Sequence, residues 1–167
     1  MVFTGTYEHS VDAKNRLAIP ADVRLLLQKE AEQTGRSGSI SVYLTLGEGQ
    51  ALCLYTERGF EQRAQELDRS ELGAEELLEY ERVLFSLASR VELDGQGRVR
   101  LPDNLLKMSG LPSEVVLIGV KDHLEIRDRA AWQKHVQDLL QRQPGILMNP
   151  RRAMRRREGG EAAGGPA

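Results

Sequence analysis

Two short phrases in this chain echo one another. Residues 12–20 read DAKNRLAIP and residues 94–102 read DGQGRVRLP. Each sets an aspartate four residues ahead of an arginine, with turn-forming residues between. An aspartate opening a turn can accept backbone N–H bonds. A guanidinium can hold that carboxylate or reach a phosphate or guanine edge with its planar fork. Asp12 and Asp94 therefore read as turn anchors. Asn15 and Gly97 share the position that calls for positive φ, which glycine and asparagine tolerate best. The first turn carries two cations, Lys14 and Arg16. The second carries Arg98, has Gln96 where the first has lysine, and is followed by Arg100. On residue types alone two readings stand. One is an ordinary hairpin with an Asp–Arg bridge, duplicated for symmetry. The other is a pair of cationic tips that meet an anionic partner.

The flanks indicate what positions these turns. Tyr7, His9 and Val11 precede the first, and Leu17 and Ile19 follow it. Val91 and Leu93 precede the second, and Val99 and Leu101 follow it. This alternation predicts strands on both sides of each turn. Pro20 and Pro102 end the second strand, where a missing donor does least harm. Each phrase then leads to a short amphipathic segment, ADVRLLLQKEAEQ or DNLLKMSG, and on to two apolar runs. SVYLTL and ALCLYT are joined by GEGQ, and EVVLIGV and HLEIRD meet near KD, which is the hairpin signal twice over. A helix closes each half, near TERGFEQRAQEL and DRAAWQKHVQDLL, with Phe60 and Trp132 in matching places and Trp132 the expected core anchor of the last helix. The first half adds AEELLEYERVLFSL, where Leu77, Tyr80, Val83, Leu84 and Leu87 fall on one helical face.

The expected organisation is a first repeat at 1–72, a linking helix at 73–89, a second repeat at 90–143 and an Arg-rich tail at 144–167. Neither half carries enough sheet to fold alone, so the two should pack as one pseudo-symmetric unit. The tail, ending GGEAAGGPA, lacks core-forming residues and is expected to be disordered.

Net charge is −2 over 167 residues. The tail holds five arginines in RRAMRRR, so 18 basic and 23 acidic residues remain in 1–150. Any basic footprint for nucleic acid must therefore be local. Aromatic residues make up only 5%, so the core must rest on Leu, Val, Ile and Ala. Cys53, the single cysteine, lies in an apolar run and reads as a buried small residue. Neither a signal segment nor a membrane span is visible, which leads to the expectation of a cytoplasmic, soluble protein. His9, His123 and His135 are scattered, and no metal site, cofactor or small-molecule substrate is expected. No nucleophile elbow, phosphate loop or catalytic set is visible either, so the chain does not read as an enzyme.

The opening MVFTGTYEHSVDAKNRLAIPADVR and the later VELDGQGRVRLP resemble the two halves of the MraZ family of bacterial transcriptional regulators. The resemblance spans roughly residues 1–143. It implies an α+β, mainly β fold: a swapped-hairpin β-barrel of the SpoVT–AbrB type, built from two tandem repeats with flanking helices. It implies sequence-specific binding to double-stranded promoter DNA of the division and cell-wall gene cluster, with association to the nucleoid. It also implies a homo-oligomeric ring that presents the turn tips to promoter repeats. The DNA-contact role then falls to Lys14 and Arg16 first, next to Arg98, and then to Arg24 and Arg100. The family usually has glycine where this chain has Asn15. An antitoxin-like interaction module of the same fold is the alternative.

Overall fold

The computed structural model of the chain describes residues 1–35, 38–67 and 74–147. Of the tail expected at 144–167, residues 148–167 lie outside them, and 144–147 are described in turns. Up to Arg129 the described chain forms one compact unit, and Ala130 onward forms a second.

Among the described residues, eight strands and five α-helices alternate in two similar series. The first series is β1 (Thr6–Ser10), β2 (Arg16–Ala18), α1 (Ala21–Gln33), β3 (Ser41–Leu46), β4 (Leu52–Thr56) and α2 (Glu57–Leu67). After α3 (Ala74–Leu87) come β5 (Ser89–Glu92), β6 (Arg98–Arg100), α4 (Asp103–Ser109), β7 (Glu114–Val120), β8 (His123–Asp128) and α5 (Arg129–Arg142). The hairpins β3–β4 and β7–β8 form where the two pairs of apolar runs predict them. Local signals set the helix ends. The Thr56 hydroxyl accepts the Gly59 N–H at 2.8 Å and so caps the start of α2. Gly110, at φ 64°, closes α4 in the left-handed region.

The hairpin expected at each phrase is not formed, because the strands on its two sides take partners from the other series. Strand β1 adds to β7, in the hairpin of the second series, with Tyr7 opposite Leu117. Strand β5 adds to β3, in the hairpin of the first, with Val42 opposite Val91. Strands β4 and β8 join the two hairpins, with Leu54 opposite Leu124. One six-stranded sheet results, in the order β1-β7-β8-β4-β3-β5, and every pairing in it is antiparallel. Read from either end, this order visits equivalent strands, so a pseudo-dyad passes between β8 and β4.

The remaining strands, β2 and β6, pair only with one another as a two-stranded ribbon. The expected closed barrel is not formed. Each of these strands is three residues long, and their mutual pairing leaves no ladder to bridge the sheet edges β1 and β5.

The main core cluster lies between the sheet, the ribbon and two helices. Leu17, Ile19, Val99 and Leu101 from the two phrases meet Leu44, Leu54, Leu117 and Ile126 from the sheet, with Val23, Leu27 and Leu105 from α1 and α4. All are nearly inaccessible to water. At about 1.5–3 kcal/mol for each fully buried large aliphatic side chain, this cluster is the main stabilising element. A smaller cluster covers the other face, where Cys53, Tyr55 and Phe60 pack with Tyr43 and Ala88.

The apolar face expected on α3 and the expected core role of Trp132 both differ. Tyr80 and Val83 of α3 are exposed, as are Leu78 and Phe85, while Leu84 is buried. The apolar stripe of α3 is wider than the surface the sheet offers it. Trp132 is half-buried rather than a core anchor, and it stacks on His135 within α5 at 5.6 Å.

Candidate nucleic-acid interface

The two phrases build the same turn. In the first, Asp12 Oδ1 accepts the backbone N–H groups of Lys14 and Arg16, each at 2.9 Å. Its Oδ2 takes the Arg16 Nε at 2.7 Å. The Asp12 carbonyl accepts the Asn15 N–H at 2.9 Å. In the second, Asp94 Oδ1 accepts the N–H groups of Gln96 and Arg98 at 2.9 and 3.0 Å. Its Oδ2 takes the Arg98 Nε at 2.8 Å and Nη2 at 2.7 Å. Asn15 and Gly97 both sit at positive φ, 60° and 73°, as their types predict.

These bonds also set the electrostatics. Two backbone donors and a guanidinium favour the ionised carboxylate. Asp94 is drawn down to about 2, first by the Arg98 side chain and then by the Arg98 N–H. Asp12 is lowered too, with the Arg16 N–H as the largest cause.

Each turn is seated on the other series. The Asn15 carbonyl accepts the Leu101 N–H at 2.7 Å, and the Gly97 carbonyl accepts the Ile19 N–H at 3.0 Å. Asn15 Nδ2 donates to Asp103 Oδ1, at the start of α4, at 2.8 Å. Opposite, the Arg24 side chain of α1 lies across Gly97, so close that a Cβ there would come within 2.3 Å of its Nη1. Arg24 Nη1 also points at the Gln96 carbonyl at 3.4 Å. A side chain at Gly97 would therefore require the Arg24 side chain to move aside, on top of the positive φ that the position demands.

The ribbon brings most of the predicted cations together. Its register sets Arg16 opposite Arg100 and Arg98 opposite Ala18, with Leu17 opposite Val99 between them. Because Leu17 and Val99 point into the core, the alternation of side chains turns Arg16, Arg98 and Arg100 to the outer face. Lys14 and Arg100 are exposed, and neither pairs with a carboxylate among the described residues. Arg24 stands apart, half-buried and engaged with the second turn. Arg16 holds its aspartate through Nε at 2.7 Å, with its side chain 32% exposed. Arg98 commits one of its two terminal groups as well.

The single cysteine behaves as its surroundings in the sequence suggest. Burial pushes the Cys53 thiol up to about 12, so it is not a ready nucleophile at neutral pH. The sequence reading missed its neighbours. The fold sets Cys53 beside His123 and Glu125, with one ligand atom from each lying within 4.8 Å of the others. The available signal was the alternation His123-x-Glu125, which turns both side chains to one face of a strand. The partner strand carrying Cys53 could not be chosen from sequence.

Taken together, these features define a class: a two-repeat α+β protein in which duplicated Asp–Arg turns, exchanged between repeats, display cations on a short ribbon. The chain matches the family described as "MraZ protein, putative antitoxin-like" over residues 2–79 and 84–151. It is 35% identical over 133 residues to the transcriptional regulator MraZ of Mycoplasmoides gallisepticum, covering 80% of this chain and 86% of that protein. It is 34% identical over 132 residues to the transcriptional regulator MraZ of Roseiflexus castenholzii, covering 79% and 85%. The corresponding protein of Ureaplasma urealyticum is 31% identical over 137 residues, covering 82% and 85%. The chain belongs to the MraZ family.

Proposed function

We propose that this protein is a transcription regulator that binds double-stranded promoter DNA through the outer face of the β2–β6 ribbon. The observation that carries the reading is the register Arg16 opposite Arg100 with Arg98 alongside. A two-stranded antiparallel ribbon fits the major groove, where arginine meets guanine edges bidentately. Lys14 at the first turn adds a phosphate contact, which positions without specifying. Four cations against two turn carboxylates give the ribbon a local positive excess on a chain that is otherwise acidic. The names of the relatives support the regulatory role. The promoter of the division and cell-wall gene cluster is the target that the family resemblance suggests.

One such ribbon binds weakly. A homo-oligomeric ring with several ribbons facing one duplex gains affinity through effective concentration, and it suits repeated operator elements. The exchange of β1 and β5 between repeats is in keeping with the swapped-hairpin architecture of the SpoVT–AbrB type. In this reading the protein works in the cytoplasm at the nucleoid and needs no cofactor or small-molecule substrate. The antitoxin-like reading has one observation in its favour, the exposed Leu78, Tyr80, Val83 and Phe85 of α3, a surface able to take an apolar partner.

A gel shift on a labelled duplex from upstream of the gene tests the proposal. Arg16→Ala should weaken binding by about tenfold or more, since a bidentate base contact contributes roughly 1–3 kcal/mol. Unchanged binding by a folded Arg16→Ala protein would refute the ribbon as the reading element. Light scattering that finds only monomers would remove the ring.

A further inference from the structure

We propose that Cys53, His123 and Glu125 form a binding site for a borderline-soft divalent cation of the zinc type. The site follows from strand register. Cys53 stands directly opposite Glu125 across the β4–β8 pairing, and His123 lies two residues before Glu125 on the same strand. All three therefore project from one face of the sheet. Leu52, Leu54, Leu124 and Ile126 project from the other, into the core. The donor set of thiolate, imidazole and carboxylate is that of zinc sites that keep an open fourth position.

Distances separate a cation from a simple hydrogen bond. His123 Nε2 lies 3.6 Å from Glu125 Oε1, which is too long for an N–H···O bond. Two ligand atoms each about 2.0–2.1 Å from a tetrahedral zinc sit roughly 3.4 Å apart. The thiol sulfur completes the triangle within 4.8 Å, so closing on a cation requires the donors to approach by about an ångström.

The surroundings orient each donor. His123 Nδ1 lies 2.9 Å from Asp122 Oδ1, and donation there directs the Nε2 lone pair toward Glu125 and Cys53. A carboxylate behind a ligating histidine is the usual outer support of such sites. Arg127 Nε donates to Glu125 Oε2 at 2.6 Å, leaving Oε1 on the side of His123. The Tyr55 ring stacks on the imidazole at 4.9 Å and fixes its plane. All three donors are shielded from water, with Cys53 only 5% exposed and the His123 and Glu125 side chains 15% and 16% exposed.

On binding, the S–H bond breaks, a sulfur–metal bond forms and the thiol proton leaves to solvent. The cation would then clamp β4 to β8, the seam where the two hairpins meet. The competing arrangement is a protonated His123 held between Asp122 and Glu125 with no metal.

The full chain, stripped with chelator, is titrated with zinc chloride by calorimetry and with cobalt(II) chloride by absorption. The expected result is one equivalent bound, a thiolate-to-cobalt charge-transfer band, and a higher thermal midpoint with zinc. Cys53→Ser should abolish the band, and His123→Gln should weaken binding by at least tenfold. A His9→Gln/His135→Gln double variant should bind as the parent does. If Cys53→Ser fails to fold by circular dichroism, Glu125→Gln, which keeps the side-chain shape, serves instead and should weaken cobalt tenfold or more. The proposal is overturned if the parent binds no zinc, if cobalt gives no charge-transfer band, or if the folded variants bind like the parent.

Discussion

The two turns share a backbone and differ in what they offer to a partner. At residues 12–16 and 94–98 the same aspartate bonds close the loop within about 0.1 Å of one another. The first turn leaves Lys14 in solvent, holds Arg16 through its Nε, and ties Asn15 to α4. The second has Gln96 at its tip, holds Arg98 by two nitrogens, and lies beneath Arg24. Duplication has preserved the hydrogen bonds that shape the turn, because losing any of them would leave backbone donors unpaired. The side chains that shape does not require have diverged. The first turn is thus the better equipped to touch an anion, and the second the better buttressed.

Several substitutions would break or sharpen this contrast, and the largest effect lies beneath both turns. Leu17→Ala should cost about 2–5 kcal/mol in denaturant unfolding. Val99→Ala should cost less, since it removes fewer carbons from the same seam. Equal losses would mean that the ribbon is not anchored as its register indicates. Next come the left-handed positions. Gly97→Val should destabilise by about 1–3 kcal/mol from backbone conformation, with added strain against Arg24. Asn15→Gly should stay within about 1 kcal/mol, because relief at positive φ offsets the lost bond to Asp103.

A smaller effect separates the tips. Lys14→Gln should lower the salt dependence of DNA binding by about one unit of slope per contact, and Gln96→Lys should raise it. Slopes that do not move would place Lys14 away from phosphate. The least change is expected in acid. Both aspartates have lowered folded values, so the support their charge lends is complete above the unfolded value of 3.8. For Asp94 it is lost as pH falls toward about 2. Carboxyl titration by NMR should find Asp94 near that value and Asp12 below 3.8. A midpoint at 3.8 for either would mean that the backbone and arginine bonds closing its turn are absent in solution.

Much of this was legible in the chain. Asn15 and Gly97 announced their positive φ because few other residue types accept it. Leu17, Ile19, Val99 and Leu101 announced the buried face because strand side chains alternate. The two hairpins followed from apolar runs separated by turn formers. The exposure of Tyr80 and Val83 did not follow, since helical periodicity defines a stripe and not the width of the surface that receives it. The role of Arg24 was hidden for a related reason: nothing in α1 says that its side chain crosses to the other repeat's turn.

The sequence by itself determined the turns, the strand and helix types and the duplication, since each depends on neighbours a few residues apart. Tertiary structure alone decided which strand pairs with which. Strand β1 could have matched either hairpin, because both present similar aliphatic edges. The choice came from packing Leu17 and Val99 into one core, which pairs β2 with β6 and sends β1 and β5 to opposite ends of the sheet. That same choice places Arg16, Arg98 and Arg100 on a common face and sets Cys53 beside Glu125. Long-range register is a property of the whole packed core, and no local stretch of sequence contains it.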